Sequence, residues 1–418
     1  MANVTTLERQ GYDPLGHLLI LRRPPLLFAL GALAGYFWLS PVFVPPGGMS
    51  VFESGQSVER ILRVLSVLWV LPLVWKRALW LVVHEPVLRL VLCAFVVAPS
   101  LSLWSFPGLD FVVATLGPFV IAGLSLLCLC ALKPTDFAAW VFGVGLAAVG
   151  FLGMGLSRYG LEMGTYFGRP RAHFGFIHPA QSASVVIIAG LFVGQAADRM
   201  FRRRLWARRA ALGIICITAL WLLYRAASLN TFVALLVILV GAGYAVVVRR
   251  RSFRYGAVIG LLVIVCTMYV ASAWGDKRDA LWGIADELSS GRMGGYRELT
   301  GFLNEETPLS ILVGPSEYSR HRQGGFAGFA AIDSVYLSIY LNYGVVTLAS
   351  LFAFLFALGT KLSGRRAPLA YGCLCAIIIF FAIDAQGVTP SNLAIFMVLA
   401  YAVRNASHLA IISRSPRY

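Results

Sequence analysis

Continuous apolar runs of roughly 17–25 residues fill most of this chain, and no other feature limits its fold so sharply. GVGLAAVGFLGMGL (143–156), VALLVILVGAGYAVVV (233–248) and VVTLASLFAFLFALG (345–359) carry no charge at all. A hydrocarbon core offers no water to backbone N–H and C=O groups, so only helices or a closed barrel can cross it. Barrel strands would be short and would alternate apolar with polar residues. These runs do neither, so they read as helices. Composition agrees: the 418 residues are 59% hydrophobic and 13% charged, with mean hydropathy +0.77. Soluble domains sit near 45–50% apolar and about 25% charged. The chain reads as an all-α polytopic membrane protein, with residues 1–418 forming a single integral membrane domain.

The runs predict about 12 transmembrane helices, near 26–45, 58–75, 90–106, 111–131, 137–156, 180–197, 210–226, 229–248, 256–274, 334–358, 368–384 and 390–404. The second starts with Arg60 and Arg63, and an ambiguous WLVVHEPVLR stretch precedes the third. The first run follows Arg22-Arg23-Pro24-Pro25 and lacks a small-residue cleavage site, so it reads as a retained span. Seven cysteines all fall inside apolar runs, where they read as small buried hydrophobes rather than as a disulfide framework.

Charge sets the orientation. With both termini in the cytoplasm, the inner loops and ends hold 23 of the 35 basic residues against five acids. RMFRRRLWARR (199–209) and RRRSFR (249–254) dominate that count. This is the excess of Lys and Arg that cytoplasmic loops carry. It accounts for the formal net charge of +16 without nucleic acid. Contact with anionic membrane lipid is a second role for the same runs.

Two loops then face outward: 157–179 and a large one, 275–333, with short helices. Chemistry on that side has no nucleotide triphosphate to draw on, and no Gly-rich phosphate loop occurs in the chain. A substrate must arrive already activated. Arginine is disfavoured in exported loops and costly near a bilayer, so the outer arginines need a reason. Arg169 and Arg171 lie near His173 and His178. Arg225 sits at the lip of a short turn. Arg292, Arg297, Arg320 and Arg322 lie in the large loop. Guanidinium offers forked donors that match phosphate oxygens, so three loops could converge on one pyrophosphate. The plainer alternatives are an Arg297 pair with Glu298 and solvated Arg320 and Arg322 beside Glu317.

His173 and His178 are spaced i, i+5 with no third ligand near them in sequence, so no metal is expected. Asp333 precedes SVYLSIYL and reads both as a helix N-cap and as a carboxylate facing the outer cavity. Residues 280–288 have the spacing of a short amphipathic helix. Gly324, Gly325 and Gly328 mark a flexible stretch where a lid could hinge. Gly256 and Gly260 form a small-xxx-small pair, read as packing within the bundle.

GRMGGYRELTGFLNEETPLSILVGPSEYS followed by IDSVYLSIYLNYGVVTLASLF resembles the large outer loop and next span of the O-antigen ligase and Wzy-type polysaccharide polymerase superfamily. RPRAHFGFIHPAQSAS and YRAASLNTF resemble two further motifs of that family, in the same order. The likeness covers roughly residues 165–360. It implies a GT-C-like glycosyltransferase of a bacterial inner membrane, working on the periplasmic side without metal or other cofactor. Donor and acceptor would both be undecaprenyl-pyrophosphate-linked glycans, and a chain-length regulator would be a partner.

By matched position, Arg171 (or Arg169), Arg225 and Arg292 would face the pyrophosphate; Arg297 and Arg320 are further candidate contacts by residue type alone. Arg292, Asp333 and His178 would be catalytic, the last two as alternative bases. Asp333 stands where ligases carry His, which favours a polymerase. The rivals are a ligase passing glycan to lipid A core and a lipid-linked sugar flippase or transporter. The two halves of the chain show no repeat of the kind transporters often carry.

Overall fold

A computed structural model describes residues 14–40, 69–105, 116–160, 163–166, 169–176, 179–201, 203–226, 229–274, 307–314, 334–364, 367–383 and 393–412, with isolated positions 43, 66, 108 and 112. It is almost wholly helical, and five helices are long and apolar enough to cross a membrane. Five shorter apolar helices accompany them. This is the architecture of an α-helical membrane protein. Many of its large apolar side chains face outward, among them Trp206, Ile217, Leu239 and Val247. Lipid tails, unlike water, exact no cost for such a surface.

The chain runs α1 (Pro14–Leu39), α2 (Leu71–His84), α3 (Pro86–Trp104), α4 (Gly117–Ala131) and α5 (Pro134–Tyr159). A hairpin of β1 (Met163–Tyr166) and β2 (Arg169–Ala172) follows. Then come α6 (Pro179–Met200), α7 (Leu205–Ala226), α8 (Leu229–Val247) and α9 (Arg251–Trp274). The last elements are α10 (Pro308–Val313), α11 (Val335–Ser363), α12 (Pro368–Ile383) and α13 (Leu393–Ile412).

Two departures from the sequence reading sit early in the chain. Residues 76–89, expected to link two spans, are helical except at Glu85. Lys76 and Arg77 are tolerated because Val74, Ala78 and Leu81 bury one face, and Trp75, Leu79 and Val83 turn outward. Pro86 then breaks the ambiguous stretch into two helices, since proline cannot donate to the preceding turn. The second departure is the hairpin in loop 157–179, a small antiparallel element in a chain read as all-α. Of the 58–75 span, only residue 66 and residues 69–75 lie among the described residues.

Glycines set the closest helix contacts. α1 and α5 pack so tightly that a Cβ on Gly31 would strike the Trp140 carbonyl, and one on Gly143 the Phe28 carbonyl. α8 and α12 meet the same way through Gly241 and Gly372. Small residues let backbones approach where apolar lipid gives no hydrophobic drive. Gly256 and Gly260 show no such contact: among the described residues nothing lies within 4 Å of a Cβ at either, so the packing role expected of them is not seen there. Cysteine burial also divides. Cys128, Cys130, Cys373 and Cys375 are buried, but Cys93, Cys216 and Cys266 face outward, and all seven are free.

One end of the bundle gathers the basic residues. Arg404 donates to the Leu129 carbonyl at 2.8 Å and lies 4.3 Å over the Phe137 ring, joining α13 to the α4–α5 turn. Lys361 of α11 stands 3.9 Å from the buried Glu85. Arg251 reaches the Thr360 carbonyl. The antiparallel order of α6 and α7 places the 199–209 run at one end and Arg225 at the other.

Candidate functional site

The end opposite the arginine-rich turns holds the hairpin, the last turn of α7 and the first turns of α6, α8, α11 and α13. β1 and β2 pair with Gly164 opposite Arg171 and Tyr166 opposite Arg169. Ala172 is fully buried, and the chain then turns sharply through Phe174 (φ 45°) and Gly175 (φ 78°). A left-handed backbone is uncommon outside glycine and is kept only where its surroundings enforce it. Here Phe174 is 1% exposed, and its carbonyl abuts Gly155 of α5 so closely that a Cβ there would collide. Phe176 bridges to Phe43, whose ring packs 5.3 Å from those of Phe151 and Phe176. The hairpin is therefore set firmly on the end of α5.

His173, in this turn, accepts a hydrogen bond at Nδ1 from the Gly175 amide at 3.2 Å, and its ring lies 5.7 Å from that of Tyr159. It shapes the turn. Among the described residues, no three or more His, Cys, Asp and Glu side chains gather where they could hold a metal ion.

β2 packs against α7, and α7 carries Arg225 in its last turn. That turn is the buried part of an otherwise outward-facing helix: Leu222, Leu223 and Ala226 are buried, and Arg225 is half-buried with its Nε enclosed. The structure thus brings together two chain segments that the sequence separates by about fifty residues. Arg169, Arg171 and Arg225 all lie on elements at this end.

Nearby, Ser184 of α6 accepts from the Ala394 amide at 2.7 Å, joining the second turn of α6 to the first of α13. Gln181 keeps its Oε1 buried without a hydrogen bond among the described residues. Ser184 did not stand out in sequence. The signal for Gln181 was its place just after Pro179 at a helix start.

The large loop is described only at residues 307–314. Thr307 caps α10 by accepting from the Ser310 amide at 3.2 Å. One face of the helix rests on the bundle: Ser105 of the α3 end donates to the Gly314 carbonyl, and Gly314 lies against Asn342 and Tyr343 of α11. α11 is broken at this depth, at Gly344. The two blocks of sequence that carried the family resemblance, PLSILVG and YLNYG, are therefore in direct contact.

The α11 cap falls on Ser334, not Asp333. The Ser334 hydroxyl accepts from the Leu337 amide at 3.3 Å and donates to the Phe381 carbonyl at 3.2 Å. A serine at this position reaches the N3 amide directly, so the capping role expected of Asp333 is already filled. Asp333 itself, with His178, Arg292, Arg297, Arg320, Arg322, the 280–288 segment and the three glycines of the proposed hinge, lies outside the described residues. The chain matches no family model, no curated protein and no solved structure.

Proposed function

We propose that the chain is an extracytoplasmic glycosyltransferase of about twelve spans and GT-C-like arrangement. In this reading it polymerises undecaprenyl-pyrophosphate-linked oligosaccharide repeats into a surface or exported polysaccharide, with both termini in the cytoplasm of a bacterial inner membrane. The observation that carries the reading is the packing of β2 on α7, which gathers Arg169, Arg171 and Arg225 at the end away from the arginine-rich turns. Guanidinium groups on elements at this end suit an anionic ligand, and a lipid diphosphate is one that reaches a membrane boundary.

The reaction is a block transfer. Arg171, Arg225 and Arg292 grip the pyrophosphate of the donor. A sugar hydroxyl of a second lipid-linked repeat attacks the anomeric carbon, and the bond from that carbon to the pyrophosphate oxygen breaks. Undecaprenyl pyrophosphate leaves with the electron pair, while Asp333 or His178 takes the hydroxyl proton. The arginines neutralise the charge that builds on the leaving group.

The test is Arg292→Ala in a cell that still makes the protein and the lipid-linked repeat. Polymer disappears if the reading holds; normal chain length and yield reject it. Purified lipid-linked repeat supplied alone separates polymerase from ligase, because only a polymerase then makes longer chains.

A further inference from the structure

The turn between α8 and α9 carries Arg249, Arg250 and Arg251, all exposed, followed by the buried Arg254. Among the described residues no carboxylate pairs with Arg249, Arg250 or Arg251. Beside these charges stand Val246, Val247 and Phe253, exposed by 63%, 80% and 59%. A soluble anion would gain nothing from that apolar shoulder. A lipid gains from both, its phosphate on the guanidinium groups and its chains along the valines and the phenylalanine.

The turn is also held in shape from within. The Tyr371 hydroxyl donates to the Arg254 carbonyl at 2.6 Å, and the Tyr244 hydroxyl to the Phe253 carbonyl at 3.2 Å. Arg254 donates back to the Arg249 carbonyl at 3.3 Å. Arg251 donates to the Thr360 carbonyl at 3.4 Å, which ties the turn to the end of α11. The charges are thus presented on a braced backbone.

We propose that this turn is a binding site for an anionic phospholipid, which it holds at the membrane boundary between α8 and α9. Charge complementarity selects the headgroup: a phosphatidylglycerol phosphate meets arginines with no acid to compete, whereas phosphatidylcholine brings a choline cation that they repel. The site is independent of the glycosyltransferase reading and survives its failure.

Native mass spectrometry of the full chain in detergent, titrated with phosphatidylglycerol or phosphatidylcholine, tests it. Phosphatidylglycerol should bind at least about tenfold more tightly, and R249Q/R250Q should weaken it about thirtyfold. R203Q/R204Q, which removes two exposed arginines from the α6–α7 turn, should leave the tightest phosphatidylglycerol site unchanged. Equal binding of the two lipids overturns the proposal. So does equal loss in both double variants, which would mean diffuse attraction to a basic surface. Displacement of the lipid by millimolar inorganic phosphate overturns it too, because the apolar shoulder would then contribute nothing.

Discussion

Gly314 and Gly344 lock into each other's backbone. Gly314 (φ 61°, ψ −173°) ends α10, and a Cβ on it would lie 2.7 Å from the Asn342 carbonyl oxygen and the Tyr343 amide. Gly344 (φ 75°, ψ −178°) breaks α11, and a Cβ on it would strike Leu312 and Val313. Both occupy a region of backbone space that is essentially closed to other residues. The rows of helix broken here would leave polar groups bare in hydrocarbon, and non-helical backbone at membrane depth survives only where protein covers it. α10 is that cover.

Alanine at either glycine should therefore cost more than its conformation alone, about 1–3 kcal/mol, because the facing backbone must also move. Thermal melting in detergent should show a clear fall for Gly344→Ala and for Gly314→Ala. The double variant should lose less than the sum, since the first change already opens the joint that the second would strain. Strictly additive losses would mean the two positions act separately.

Arg404 is 7% exposed, yet it sits in a helix that reads as a span. Its donation gives the Leu129 carbonyl, in the last turn of α4, a shorter hydrogen bond beside the 3.4 Å one from the Leu132 amide, at an end where the helix dipole also favours a cation. The face of Phe137 lies under the guanidinium at 4.3 Å. A charged hydrogen bond and a desolvated cation–π contact together make Arg404→Ala cost about 3 kcal/mol. Arg404→Lys keeps the charge but has no flat group to stack, and should recover only part of it. Melting curves of the two variants that coincide with wild type would show that neither contact matters.

Glu85 and Lys361 make a testable contrast. Glu85 is buried at the α2–α3 break, whereas the Lys361 side chain is 36% exposed. Solvent screens such a pair at 3.9 Å, so its net worth is at most about 1 kcal/mol. The asymmetry is larger than the mean. Lys361→Met strands a buried carboxylate and should destabilise, while Glu85→Gln removes the charge that needed pairing and should be close to neutral. Adding Glu85→Gln to Lys361→Met should then restore stability. A double variant as unstable as Lys361→Met alone would point to packing at Lys361 rather than charge.

The helical architecture was legible because lipid forces the sequence to declare it: continuous apolar runs have no other stable use. Helix ends were less so. The 76–89 stretch hid two helices because Lys76 and Arg77 look like a loop, although both lie within α2. The hairpin was invisible because RPRA and MGTY have no alternation long enough to count as strand signal. Ser334 was passed over as a cap for its more acidic neighbour. The joint of α10 with α11 depends on residues about thirty apart, which no local pattern reports. At the candidate site, Arg225 could be flagged by its lack of a neighbouring acid in sequence, but the packing of its helix against β2 required the fold.

Arg225 offers the sharpest test of the anion reading. Its helix is anchored at this end by Leu222, Leu223 and Ala226, so trimming the guanidinium alone leaves those contacts in place. Arg225→Gln keeps a polar side chain of similar reach and should spare thermal stability. If the guanidinium faces the diphosphate in the transition state, turnover with lipid-linked repeats should fall by about 10²–10³. Arg225→Lys retains the charge without the fork and should fall between the two. Loss of a transition-state contact lowers kcat and kcat/KM together, whereas loss of simple lipid binding raises KM alone. A raised KM with unchanged kcat would make Arg225 a docking residue. A fall in melting temperature that tracks the fall in rate would make it structural, and would remove the strongest described arginine from the proposed site.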